Sequence, residues 1–265
     1  MAEITAATVK ALREETGQGM MDCKKALQEA DGDFDAARDI LRKKGLATAE
    51  KKAARATSEG LIGISVADDK TSAAMVEVQC ETDFCARNDV FRNMVQRVAD
   101  MAMASDASGE VTPSDEMNSA VQEALTQIGE NMSVARAVRI SAPRVETYLH
   151  HNGKVGVIIG VEGEASDETL NDLCMHIAFA DPMGINPDDI PTDLVEKEKQ
   201  FAREEAADSG KPADIVEKIV TGKVRKFLEA NALLEQPFVR DDKKKVKDIL
   251  GDAKVTAFAR FAVGT

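Results

Sequence analysis

Apolar and polar positions in the middle of the chain follow one plan twice: a strand, a turn, a second strand and a helix. Alternation of the two residue classes over residues 76–81 is typical of a half-buried strand. Together with turn residues at 68–70 and 152–153, the pattern predicts strands over residues 60–66, 73–80, 148–150 and 154–161. Apolar residues at helical spacing predict helices over 90–102, 121–128 and 170–178. Packing such units predicts antiparallel sheets covered by helices, an α+β fold of more than one domain.

Residues 1–46 predict a small unit of three helices. Thr5 is a helix-capping residue, and the two glycines in residues 16–19 separate the first helix from the second. Gly45 is predicted to end the third helix. The Ala-rich and charged stretch at 47–59 predicts a helical or flexible connector.

The remaining residues divide into a core of two parts and an inserted arm. The stretch 192–230 departs from the strand plan and predicts an antiparallel helical hairpin, with a stop at residues 209–212. Because two helices bury little surface by themselves, an apolar face on this arm is expected to meet the parent domain or a second copy. The two core parts are assigned to residues 60–142 and to residues 143–191 with 231–265.

Beyond the arm, the apolar residues predict strands that rejoin the second core part. These strands are expected over residues 236–239 and 255–263. Three successive lysines at residues 243–245 predict an exposed turn between them.

The point where the first strand pair gives way to a helix carries the strongest candidate for function. The alternation ends at Cys80, and Thr82, Asp83 and Phe84 follow before the helix. An acidic and a large apolar residue therefore stand side by side at a strand-to-helix turn. Such a turn on a rigid scaffold suits a side chain that enters another molecule. The pattern leaves open the alternative that Phe84 only covers the end of the local core.

Charge and hydropathy exclude several classes of protein. The formal net charge of −13 argues against a protein that binds the phosphate backbone of nucleic acid, which requires a basic surface. No apolar run approaches the ~20 residues of a membrane-spanning helix, so no membrane partner is expected. The N-terminus has neither the basic nor the apolar region of an export signal, so we expect a cytoplasmic protein.

The four cysteines and three histidines form no metal-binding pattern. No Cys-x-x-Cys pair occurs, and the histidines lie far in sequence from most of the cysteines. We therefore expect reduced thiols, no metal and no cofactor.

No catalytic or phosphate-binding motif occurs in the chain. Gly-x-x-x-x-Gly-Lys-[Ser/Thr], Gly-x-Ser-x-Gly and His-Glu-x-x-His are all absent. Glu14 and Glu15, like Asp188 and Asp189, are adjacent, so their carboxylates point apart in regular structure. A binding protein is predicted, and an enzyme that uses His176 or the acid pairs is the alternative.

Five stretches of the chain resemble motifs of a known family and occur in the same order as in that family. They are LREETGQGMMDCKKAL at 12–27, ETDF at 81–84, GKVRKF at 222–227, QPFV at 236–239 and FARFAVG at 258–264. Together they resemble the elongation factor Ts family, the bacterial guanine-nucleotide exchange factors for elongation factor Tu. The resemblance implies a protein that binds elongation factor Tu carrying GDP and releases the GDP without covalent chemistry. A non-exchanging adaptor or scaffold remains the alternative.

The resemblance implies that the N-terminal unit is a ubiquitin-associated-like domain that packs on the nucleotide-binding domain of the partner. Arg13, Met20 and Met21 match its contact positions. Core packing is the alternative for the two methionines. Since adjacent residues cannot both face one core, we expect at least one of them to be exposed.

The resemblance also implies contacts from the two core parts and the arm. Thr82, Asp83 and Phe84 would form the intruding turn, with Asp83 and Phe84 pressing between helices of the partner near its magnesium and phosphate site. His150, which is next to His151, matches a contact in the second half. The hairpin at 192–230 resembles the dimerisation module of the family, which implies a possible homodimer.

Overall fold

The computed structural model describes residues 4–207 and 212–265 and shows helices packed on antiparallel sheets. The helices are α1 (Ala6–Thr16), α2 (Met20–Glu29), α3 (Phe34–Lys52), α4 (Asp83–Arg87), α5 (Asp89–Met103), α6 (Asp115–Ile128), α7 (Asp167–Ala180), α8 (Thr192–Ala207), α9 (Ala213–Asn231) and α10 (Val246–Ile249). The strands are β1 (Glu59–Val66), β2 (Ser72–Cys80), β3 (Gly109–Glu110), β4 (Met132–Ser141), β5 (Arg144–Leu149), β6 (Val155–Glu162), β7 (Pro237–Phe238), β8 (Asp241–Lys245) and β9 (Lys254–Ala262). The predicted α+β class is confirmed, whereas the domain boundaries and the ubiquitin-associated-like character of the first unit stay predictions.

The first three helices pack around a small apolar core of their own. Leu12 of α1, Leu27 of α2 and Leu41 of α3 are buried in it. Thr5 caps α1 by accepting a hydrogen bond from the backbone N of Thr8 at 3.2 Å. The three helices predicted for this part of the chain are therefore confirmed.

The third helix continues past Gly45, so the predicted end at this glycine is wrong. Gly45 is buried against α6, where an added Cβ would lie 3.0 Å from the Thr126 hydroxyl oxygen. The carbonyl oxygen of Gly45 accepts a hydrogen bond from the Gln122 side chain at 3.1 Å. The glycine permits close packing of α3 on α6, and α3 runs on to Lys52 through part of the predicted connector.

The first sheet has the strand order β1-β2-β4-β3, and its neighbouring strands are antiparallel. α5 and α6 pack on it and bury a large apolar cluster that includes Phe91, Val98 and Leu125. β4 was not predicted from the sequence. Its pairing with β2 shifts between Glu77 and Val78, and the extra residue breaks the period of two on which strand prediction depends.

The second sheet has the order β5-β6-β9, so the C-terminal strand completes the second copy of the plan. α7 packs on this sheet with Leu173 and Ile177 fully buried. A two-stranded ribbon of β7 and β8 follows the arm. Residues 243–245 belong to β8, so the predicted turn is wrong there. Lys245 is held by an ion pair with Glu235 at 2.6 Å, which suits a strand position.

The two sheets share an apolar layer and a buried ion pair. The layer includes Ile62 and Met75 from the first sheet and Ile158 and Phe261 from the second. The carboxylate of Glu77, which is 1% exposed, accepts hydrogen bonds from Arg136 at 2.7 Å and from the backbone N of Gly264 at 3.2 Å. Because Gly264 follows β9, this buried charge joins the C-terminal strand to the first sheet.

The arm consists of α8 and α9, which pack side by side as predicted. Ala202 and Val220 are buried, and an ion pair joins Arg203 to Glu217 at 3.2 Å. Phe201 stays exposed. Residues 209–211 of the predicted stop lie outside the described residues.

A buried histidine joins α7 to the segment that follows the arm. His176 Nδ1 accepts a hydrogen bond from the backbone N of Val239 at 3.2 Å, so Nε2 carries the proton and donates to the Gln236 side-chain oxygen at 2.9 Å. The Gln236 amide in turn donates to the carbonyl of Ala230 at 2.7 Å. Burial lowers the pKa of His176, because the site does not replace the water that would solvate a charged ring.

We expect His176 to reduce stability as the pH falls. Its pKa in the folded chain lies below the ordinary value of 6.5, so the unfolded chain takes up the proton more readily. The stability that the neutral His176 ring contributes is therefore fully present above the ordinary pKa of 6.5. It is lost as the pH falls from there through the pKa of the folded chain, by at most about 1.4 kcal/mol per pH unit for one proton.

Urea unfolding of the wild type and of His176→Gln at about pH 7.5 and about pH 5.5 measures this loss. The variant should lose less stability on acidification than the wild type, because carboxylate titrations are common to both chains. An equal loss in the two chains would contradict the assignment to His176.

Candidate partner-binding site

The chain leaves β2 at Cys80 and enters α4 through a capped turn. Thr82 has the extended backbone of a helix-capping residue, and its hydroxyl accepts a hydrogen bond from the backbone N of Cys85 at 3.2 Å. Thr and Asp favour such first-turn positions because they satisfy free amides and complement the helix dipole. The predicted strand-to-helix turn is therefore confirmed, with α4 as a separate short helix before α5.

Phe84 points into solvent, whereas the two residues that follow it are buried. The Phe84 side chain is 78% exposed, and Cys85 and Ala86 belong to the apolar cluster under the first sheet. The alternative that Phe84 covers the local core is therefore wrong. A large exposed apolar side chain next to buried neighbours is suited to contact with another molecule.

Thr82 is held by groups behind the turn. Its backbone N and its hydroxyl both donate to the carboxylate of Glu130, at 3.0 Å and 2.7 Å. Its carbonyl oxygen accepts a weak hydrogen bond from the Cys80 thiol at 3.3 Å. Asp83 makes an ion pair with Arg87 at 2.8 Å, and an exposed pair of this kind contributes little to stability. The Asp83 carboxylate therefore remains available to a partner at small cost.

The cysteines under the turn serve packing. A hydrogen bond with the Cys80 thiol and burial both raise the pKa of the Cys85 thiol. A thiol with a raised pKa carries almost no thiolate at neutral pH, and the thiolate is the reactive form. Cys85 therefore acts as a small apolar side chain, and it is buried with Cys80 in the apolar cluster that anchors the turn.

The N-terminal candidates lie on a separate part of the chain. Arg13 on α1 and the methionines at the start of α2 are exposed, with Met20 at 42% and Met21 at 62%. The expectation that at least one methionine is exposed is confirmed, and core packing does not explain either of them. Their role in partner contact stays a prediction.

His150 lies in the loop between β5 and β6, against the first sheet. Its Nδ1 is 2.7 Å from the Tyr148 hydroxyl, and its ring centre is 4.2 Å from that of the exposed His151. The loop lines a groove of about 410 Å³ together with Arg92 and Gln96 of α5. The fold thus brings His150 next to α5, the helix that follows the Phe84 turn. The two segments are far apart in sequence, so the sequence alone does not predict this contact.

The residues considered for catalysis have structural partners. Both ring nitrogens of His176 are hydrogen-bonded, Glu15 pairs with Arg38 at 2.6 Å, and Asp189 accepts a hydrogen bond from the backbone N of Asn186. Within residues 4–207 and 212–265, no group of His, Cys, Asp and Glu is placed to hold a metal ion. In the same residues, no helix is both long enough and apolar enough to cross a membrane.

The match to a known family covers the turn, strands β3 and β4 of the first sheet and the whole second sheet. The family model described as elongation factor TS matches residues 81–265. The chain belongs to the elongation factor Ts family. A member from Nitratiruptor sp. is 44% identical over 284 aligned residues, which cover 98% of this chain and 93% of the relative. A member from Aquifex aeolicus is 41% identical, with 97% of this chain and 96% of the relative covered.

Membership in the elongation factor Ts family makes this chain a translation elongation factor. The family model begins at residue 81, and the alignments with the relatives cover nearly the whole chain. The predicted resemblance is therefore confirmed. The assignment of individual contact residues to it stays a prediction.

Glu130 is the site residue that the sequence pattern did not reveal. It contacts Thr82 across 48 positions of sequence. No periodicity or motif links the end of α6 to the turn after β2. The pairing of β2 with β4 sets Cys80 opposite Met132 and so brings the two segments together.

Replacing Phe84 is expected to leave stability unchanged, because its side chain is already in water. Phe84→Ala should alter the free energy of unfolding by less than about 0.5 kcal/mol. Phe91→Ala is the matched control, since Phe91 is fully buried seven residues later and its truncation should cost about 3–5 kcal/mol. Urea unfolding of both variants checks this, and a large loss in Phe84→Ala would show that the ring packs on the fold.

Proposed function

We propose that this chain binds elongation factor Tu in its GDP-bound form and accelerates GDP release by pressing Phe84 into the partner. The observation that carries the proposal is the Phe84 side chain, held 78% exposed on a capped helix whose other side is buried. Membership in the elongation factor Ts family supports the choice of this partner. Translation elongation takes place in the cytoplasm, so we place the protein there.

The mechanism weakens the contacts that hold the diphosphate. Magnesium neutralises much of the charge on GDP, so displacing it removes a large favourable electrostatic interaction. Asp83 stands beside Phe84, and its negative charge near the phosphates would further raise the energy of bound nucleotide. Linkage makes the effect reciprocal: nucleotide weakens binding of the factor as much as the factor weakens binding of nucleotide.

One aromatic side chain is not sufficient for this effect. A roughly 10⁴-fold faster release requires a barrier lower by about 5.5 kcal/mol, whereas burying one Phe supplies ~1.5–3 kcal/mol. We assign the remainder to Arg13, Met20 and Met21 on the N-terminal unit and to His150. Together with Phe84, these groups lie on three separate parts of the chain, so a complex would engage the partner at several places.

We also propose that the arm mediates a homodimer. Phe201 on α8 and Ile215 on α9 are exposed apolar residues on helices that otherwise carry many charges. Sedimentation equilibrium of the wild type and of Phe201→Asp tests this. A dimer that dissociates in the variant supports the proposal, and a monomeric wild type at high concentration contradicts it.

The exchange function is tested by release of a fluorescent GDP analogue from magnesium-loaded elongation factor Tu, with the factor in catalytic amount. Phe84→Ala should slow catalysed release at least about tenfold, because ~1.36 kcal/mol corresponds to tenfold and the ring supplies more than that. Phe179→Ala is the matched control, since Phe179 is 80% exposed on α7, away from the turn. With the Phe179→Ala variant, elongation factor Tu should release GDP at the rate seen with the wild-type chain.

Two outcomes would contradict the proposal in different ways. Wild-type release by Phe84→Ala would exclude the wedge role of this ring. A detectable complex of the wild-type chain with elongation factor Tu, without faster release, would instead identify a non-exchanging adaptor.

A further inference from the structure

Both carboxylate oxygens of Glu130 contact Thr82, the residue that caps α4, the helix that carries Phe84. Glu130 accepts the Thr82 backbone N–H on one oxygen and the Thr82 hydroxyl on the other. The Thr82 hydroxyl oxygen is then free to accept the amide of Cys85. Because hydrogen bonds to a charged acceptor are stronger than neutral ones, Glu130 fixes both the backbone of Thr82 and the direction of its hydroxyl.

The loop that carries Glu130 is itself tied down on both sides. Gly129 ends α6 with a φ of 88°, a left-handed conformation that glycine adopts without strain. Asn131 is buried; its backbone N donates to Glu81 at 2.6 Å, and its side chain donates to the carbonyl of Arg55 at 2.8 Å. The bond from Asn131 lowers the pKa of Glu81, which therefore stays ionised. Glu130 thus acts from a fixed support.

α4 is too short to hold Phe84 by itself. It spans five residues, and an isolated helix of that length is unstable in water. Cys85 and Ala86 anchor one side of it in the core, so the direction of Phe84, in the first turn, depends on the cap. A ring that is ordered before binding loses less freedom when it enters a partner.

We propose that Glu130 is a positioning residue for nucleotide release, which acts only through Phe84 by holding Thr82 in the conformation that presents the ring. This proposal rests on the proposed function of Phe84. Glu130 contacts neither nucleotide nor partner in this role. Its effect on exchange must therefore vanish when the Phe84 ring is removed.

A double-mutant cycle measures this dependence. The chains are the wild type, Glu130→Gln, Phe84→Ala and the double variant, each assayed for release of the fluorescent GDP analogue from elongation factor Tu. Glutamine offers one acceptor oxygen and sets an NH₂ group against the other donor of Thr82. We expect Glu130→Gln to slow catalysed release about fivefold in the wild-type background and to have no effect in the Phe84→Ala background.

Amide hydrogen exchange of the free chain gives a readout that does not involve the partner. Exchange of the Cys85 amide should become at least about fivefold faster in Glu130→Gln, while amides in the middle of α5 stay unchanged. Thr82→Val, which lacks the hydroxyl, should show the same slower GDP release and the same faster exchange of the Cys85 amide. Thr82→Ser, which keeps the hydroxyl, should show the wild-type rates of both. Glu123→Gln is the control, since Glu123 lies on α6 and the change removes the same charge from an exposed ion pair with Arg97 of α5.

The outcomes separate the two proposals. Unchanged Cys85 exchange in both Glu130→Gln and Thr82→Val overturns the positioning role. An equal slowing of release by Glu130→Gln with and without the Phe84 ring also overturns it, and in both cases the exchange function stands. Wild-type release by Phe84→Ala overturns the wedge role, and the action of Glu130 through Phe84 falls with it.

Discussion

A large apolar side chain held in water is the constraint on which the rest of this structure depends. The exposed Phe84 ring packs little against the rest of the chain, so its direction must be set by the residues beneath it. Burial of Cys85 and Ala86 anchors the helix from below, and the Thr82 cap fixes its first turn. The apolar cluster under the first sheet therefore serves presentation of the turn as well as stability.

The second sheet extends this rigid support across the molecule. The apolar layer between the sheets joins them, and the buried carboxylate of Glu77 attaches the end of β9 to the first sheet through Arg136 and Gly264. A buried charge is tolerable when all of its acceptor sites are used. Since the loop of His150 also packs on the first sheet and α5, the turn and this loop have a fixed spatial relation.

The sequence predicts elements well where one physical signal acts alone. The strands β1, β2 and β6 are rich in apolar residues and are bounded by turn residues, whereas the register shift between Glu77 and Val78 conceals β4. In the sequence, Gly45 cannot be distinguished from a glycine that ends a helix. Its close packing against Thr126 explains why a glycine stands there inside α3, which continues past it. The turn at Thr82 is predictable because two periodicities meet there. The exposure of Phe84 and its support by Glu130 depend on tertiary packing, which no local pattern encodes.

The separation of the candidate contacts follows from what an exchange factor must do. On the proposed mechanism, the factor must lower nucleotide affinity and then be displaced by nucleotide, so no single contact can be both sufficient and permanent. On that proposal, a rigid Phe84 would supply a local wedge, and exposed Met20 and Met21 would supply adaptable apolar contact elsewhere. Stiffness is therefore needed only at the turn. This accounts for a structure that gives Thr82 three hydrogen-bonded supports while leaving the methionines in solvent.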